Sequence, residues 1–70
     1  MLSEKIKLLR DERHWTQAEA AAQIGITTRN YQYLEGGKQP KYETLIRLAD
    51  VYGVSIDWLT DRSSCREVRP

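Results

Sequence analysis

The chain has 70 residues, 40% hydrophobic and 30% charged, which bounds it to one small domain with a limited core. No run approaches the ~18 apolar residues of a membrane-spanning helix, and the charged start MLSEKIKLLRDER does not read as a secretion signal, so a cytoplasmic chain without membrane contact is expected. The formal net charge is only +1, and residues 1–60 hold eight basic and eight acidic side chains, so affinity for a polyanion would have to come from a local patch.

Cys65 is the lone cysteine and His14 the lone histidine. An intrachain disulfide is excluded, no metal-ligand spacing exists, and no metal or cofactor is expected. Cys65 reads as an incidental thiol, with an intermolecular disulfide as the alternative.

In chain order, Ser3 is placed to cap a first helix whose stripe is Leu2, Ile6 and Leu9. Thr16 and Glu19 form T-x-x-E, the spacing of a capping box, and Trp15 with Ala20 occupies the hydrophobic-staple positions around it. The alanine-rich QAEAAAQI then forms a second helix of about two turns, too short to persist alone in water, which Gly25 ends in a left-handed stop. Thr27 caps a third helix from Thr28 to Glu35, with Gly36 as its stop, and Gly37–Pro40 is a loop. YETLIRLADVYG is amphipathic, with Leu45, Leu48, Ala49 and Tyr52 at i, i+3, i+4 and i+7. Gly53 ends it, and Ser55 caps a last short helix, IDWLT, with Val54 and Leu59 as its staple. No strand pattern appears. The expected fold is all-α, with five helices over residues 1–60 and a polar, frayed tail over 61–70.

Two short helices joined at Gly25-Ile26-Thr27 have the spacing of a helix-turn-helix. Its demands can be met one by one. Ala21 is small where the helices cross, Gly25 tolerates positive φ in the turn, Ile26 is an apolar plug, and Tyr31 and Leu34 form the buried stripe of the second helix, i and i+3. Each residue turns about 100°. With Tyr31 at the buried centre, Leu34 and Thr27 fall within about 60° of it, inward, while Arg29, Gln32 and Tyr33 fall about 100–200° away, outward.

Residues 17–36 resemble the helix-turn-helix of the Cro/cI-type (XRE) family of prokaryotic and phage regulators. The resemblance extends over residues 2–60, through LRDERHWTQAEAA on one side and LEGGKQPKYETLIRLADVYGVSIDWL on the other, with L-E-x-G-x-x-x-P and V-S-x-D-x-L in order. It implies a compact five-helix, lambda-repressor-like domain whose recognition helix, residues 28–35, enters the DNA major groove. Thr28, Arg29, Gln32 and Tyr33 then match the base-contacting positions. Arg29 has the most specific chemistry, because a guanidinium can bond guanine O6 and N7 together. Asn30 lies to the side and matches a backbone contact. Thr16 and Gln17 open the second helix, where amides and dipole favour an anion, and Gln17 matches the family's phosphate-bonding glutamine. Lys38 and Lys41 flank the loop after the recognition helix and are expected on the same strand. Arg10 and Glu35 match a family salt bridge between the first helix and the recognition helix, and Arg10 is also a candidate phosphate contact. One departure stands out: Tyr31 occupies a position that in the family usually holds Ile or Val, and its buried hydroxyl needs a partner.

The function implied is sequence-specific DNA-binding transcriptional regulation, most simply repression, by a homodimer on a palindromic operator. The dimer is expected to use the C-terminal third, or to form only on DNA. A different class remains open, an antitoxin-type protein-interaction module built on the same domain. An enzyme is not expected, since the chain has no Ser/His/Asp set, paired-carboxylate cleft, glycine-rich phosphate loop or metal spacing.

Overall fold

Local capping decides where the chain is helical. In the computed structural model, which describes residues 2–64 and 66, α1 spans Leu2–Glu12, α2 Gln17–Ile24, α3 Thr28–Glu35, α4 Tyr42–Tyr52 and α5 Ile56–Leu59. Among the described residues Val54 makes only an isolated β-bridge, and there is no sheet. The expectation for Cys65 falls outside the described residues.

Thr16, Thr27 and Ser55 each take extended backbone and accept a bond from the amide three residues on, as N-caps do. At Thr16 the reciprocal half of the capping box is also present, its amide donating to the Glu19 carboxylate at 3.0 Å. Ser3 departs from expectation. α1 already begins at Leu2, so Ser3 lies inside the first turn and is not the cap.

The C-terminal stops hold. Gly25 and Gly53 are left-handed, at φ 86° and 65°. Gly36 stops α3 in right-handed backbone, and Gly37 takes a positive φ of 110°. The reason is a Schellman closure: the Gly37 amide donates to the Leu34 carbonyl at 3.2 Å and the Lys38 amide to the Tyr33 carbonyl at 2.9 Å.

Ile6 and Leu9 of α1, Ala20, Ala21 and Ile24 of α2, Tyr31 and Leu34 of α3, and Leu48, Ala49 and Tyr52 of α4 form the core, closed below by Val54 and Leu59. α3 packs on α1 and α2, α2 also on α4, and α4 on α5. Ala21, at 1% exposure, lets α3 approach closely, and Ile26 is half-buried as the plug of the turn. Gly25→Ala is expected to cost about 1–2 kcal/mol. The new Cβ would sit 3.4 Å from the flexible Arg47 Nη1, so the loss comes from backbone conformation and not from collision. Urea unfolding checks it, and an unchanged midpoint would contradict it.

Within the expected tail, Arg66 is held against the domain. The Arg66 carbonyl accepts from the Ser55 amide at 2.9 Å, its guanidinium pairs with Glu12, and it lies 5.4 Å from the centre of the Trp58 ring. Lys5 Nζ also stands over the same ring, at 4.6 Å, so two cations meet the indole.

Candidate nucleic-acid interface

α3 presents two chemically distinct sides. Tyr31 is fully buried and Leu34 is 5% exposed, while Thr28, Arg29, Asn30, Gln32 and Tyr33 all lie in solvent. Thr27 was expected inward but is exposed. Helical angles do not apply to it, because as the cap it has extended backbone and turns its Oγ1 to the Asn30 amide at 3.1 Å.

The inner side of α3 is held by polar contacts as well as apolar packing. Glu35 closes a bidentate pair with Arg10, at 2.7 Å from Nε and 3.2 Å from Nη2, and its side chain is only 4% exposed. Arg10 Nη1 donates to the Trp15 carbonyl at 3.0 Å, so one guanidinium ties α1, the α1–α2 connection and α3 together. Burial pushes the Glu35 carboxyl up, but hydrogen bonds from Arg10 and Gln17 outweigh it and hold the group below the usual carboxylate range. The Tyr31 and Tyr52 hydroxyl oxygens lie 2.9 Å apart, in a buried hydrogen bond in which either can donate. The hydroxyl that departs from the family pattern is thereby satisfied. Burial, followed by the bond to Tyr52, raises the Tyr31 phenol far above its ordinary value.

Gln17 links this inner network to the outer face. Its Nε2 donates to Glu35 at 3.1 Å, and its Oε1 accepts from Gln32 at 3.3 Å. Arg10 and Gln17, both considered for phosphate contact, thus direct donors inward. Thr16 is exposed at the start of α2, beside the Glu19 carboxylate of its own capping box.

On the outer face, Arg29 Nε donates to Tyr33 Oη at 3.0 Å, one helical turn away. Lys38 Nζ lies 5.4 Å from the centre of the same ring. Lys38 and Lys41, with Asn30 and Thr44, also rim a cleft of about 320 Å³ between α3 and the start of α4, floored by Ile26 and Leu34. Residues 28–41 carry three cations and one carboxylate, and that carboxylate, Glu35, is buried and paired. The exposed charges within residues 28–41 are thus all positive.

Several contacts were not legible beforehand. Arg13 donates to the Tyr52 carbonyl at 2.9 Å and stacks on Tyr52 and Trp15, capping the end of α4. Its place after the helical stripe carried no signal for this. The Gln17–Gln32 bond was not anticipated either, although both residues were candidates.

A helix-turn-helix family model matches residues 6–59. The chain is 36% identical over 69 residues to the uncharacterized HTH-type transcriptional regulator YqaE of Bacillus subtilis, covering 97% of this chain and 60% of that protein. It is 44% identical over 64 residues to the cryptic phage CTXphi transcriptional repressor RstR of Vibrio cholerae, covering 90% and 58%. A third relative, the SPbeta prophage-derived uncharacterized HTH-type regulator YonR of Bacillus subtilis, is 37% identical over 60 residues, covering 84% and 56%. The chain therefore spans under two thirds of the length of each of these relatives.

Proposed function

We propose, from the premise that this chain belongs to the helix-turn-helix family of the Cro/cI type, that it binds specific sites on double-stranded DNA and regulates transcription, as a repressor acting in the cytoplasm. The observation that supports this reading most is the outer face of α3: Thr28, Arg29, Gln32 and Tyr33 exposed side by side on a helix whose other side is locked into the core. That combination gives a rigid polar surface of the size that enters a major groove.

In this reading Arg29 reads a guanine, Gln32 and Thr28 meet neighbouring base edges, and the Tyr33 ring lies against a thymine methyl or sugar. Asn30, Lys38 and Lys41 meet the phosphates beside α3, and Thr16 and Gln17 those at the start of α2. Arg10 acts through Glu35, setting the angle of α3. Two copies on a palindromic operator would place their recognition helices in successive major grooves, roughly 34 Å apart.

Selection of binding sites from random duplexes is expected to return a palindrome with half-sites one helical turn apart. Arg29→Ala is expected to weaken binding to the selected site by about 1–3 kcal/mol and to relax preference at one base pair of each half-site. Equal loss on selected and random duplexes would remove Arg29 from base reading. Recovery of no enriched sequence at all would refute the function.

A further inference from the structure

An arginine that reads guanine can present its guanidinium in two ways: through Nε and Nη2 together, or end-on through Nη1 and Nη2. On α3 the choice is already made before any DNA arrives. Arg29 Nε donates to Tyr33 Oη at 3.0 Å, and the guanidinium carbon lies 5.9 Å from the centre of the Tyr33 ring. Residues i and i+4 of a helix are surface neighbours, so the bond needs no distortion of the backbone.

The ring that accepts this bond is itself held. The Schellman closure places Tyr33 and Lys38 at the C3 and C″ positions, where an apolar contact often accompanies the turn. Here the contact is Lys38 Nζ at 5.4 Å from the ring centre, while the Lys38 amide is bonded to the Tyr33 carbonyl at 2.9 Å. The ring is only 44% exposed, against 71% for Tyr42 at the start of α4. Loop, ring, hydroxyl and Nε thus form one chain of constraints running from Gly37 to Arg29.

We infer that Tyr33 is a positioning residue for base reading: its hydroxyl occupies Arg29 Nε, so that the guanidinium meets its guanine end-on through Nη1 and Nη2. This rests on Arg29 being a base reader. It goes further by making specificity at that base depend on a second side chain, through an atom that need not touch DNA. An arginine loses rotamer freedom on binding, and less is lost per bond when the fork is already oriented.

The test is a double-mutant cycle on the full chain, using the duplex selected by the wild-type protein, its three substitutions at the base pair that Arg29→Ala relaxes, and a random duplex. Tyr33→Phe keeps the ring, and with it the Lys38 contact, and removes only the hydroxyl. It is expected to lower discrimination at that base pair about threefold to tenfold, with affinity for the random duplex and the thermal midpoint unchanged. In an Arg29→Ala background it is expected to change discrimination by less than about twofold. An equal effect of Tyr33→Phe in both backgrounds would show the hydroxyl bonding DNA directly and would overturn the inference while leaving Arg29 as a reader. A uniform loss on all duplexes would place the hydroxyl on a phosphate and overturn it in the same way. If Arg29→Ala relaxes no base pair, the base-reading assignment falls and this inference with it.

Discussion

Arg10→Met is expected to destabilise the domain by about 3–5 kcal/mol near neutral pH. A 70-residue domain has about 3–10 kcal/mol in total, so much of the protein would be unfolded at physiological temperature. The loss is large because of what remains. Methionine fills much of the same volume, but the Glu35 carboxylate, at 4% side-chain exposure, would keep its burial and lose the cation paired with it. The pH dependence identifies the cause. In the wild-type protein the folded Glu35 pKa lies below its ordinary value of about 4.3. Its stabilisation is therefore complete above that value and is lost as pH falls through the folded pKa. In the variant the cost comes from an unpaired buried charge, which protonation removes. The gap between the two proteins is thus widest near neutrality and narrows on acidification. Glu12 and Asp61 are also held low, by Arg66 and Lys5, and titrate alike in both proteins. Urea unfolding at about pH 7 and about pH 3.5, followed by tryptophan fluorescence, measures the gap. An equal gap at both pH values would show that lost packing, not the carboxylate, is responsible.

Tyr31→Ala is expected to cost a further large sum, about 3–5 kcal/mol, by emptying the fully buried space between α3 and α4. Two milder variants separate ring from hydroxyl. Tyr31→Phe and Tyr52→Phe each remove one end of the buried 2.9 Å hydroxyl pair and leave the other hydroxyl without that partner, for about 0.5–1.5 kcal/mol each. Chemical denaturation measures both losses, and an unchanged midpoint in both variants would show that the pair contributes nothing.

What the sequence alone disclosed, and what it withheld, divides along a physical line. The capping box at Thr16, the cap at Ser55, the left-handed turn at Gly25 and the stripe through Leu48, Ala49 and Tyr52 were legible because each depends on residues within a few positions. The inward placing of Thr27 failed because helical geometry was extended by one residue beyond the helix, into its cap. The need of the Tyr31 hydroxyl for a partner was legible. That the partner is Tyr52, 21 positions on, was not, because nothing local encodes which side chain of α4 faces α3. The same holds for Arg13 on the end of α4 and for Arg66 on Glu12. At the candidate interface, exposure of Thr28, Arg29, Gln32 and Tyr33 followed from one angle per residue. The bond from Arg29 to Tyr33 required the ring orientation, which Lys38 sets from outside the helix.

The two helices of the motif have eight residues each, below the ~12–15 at which an isolated helix becomes marginal in water. α3 is bound on its inner side to α1, α2 and α4 through Tyr31 and Glu35, and so has no partial way to come loose. Its bonded amides, from Tyr31 on, should exchange with solvent only when the entire domain opens, at the slowest rate the molecule has. The helix that presents Thr28, Arg29, Gln32 and Tyr33 to solvent is then also among the least prone to local unfolding, and a protease would reach it only by waiting for the whole fold to disassemble.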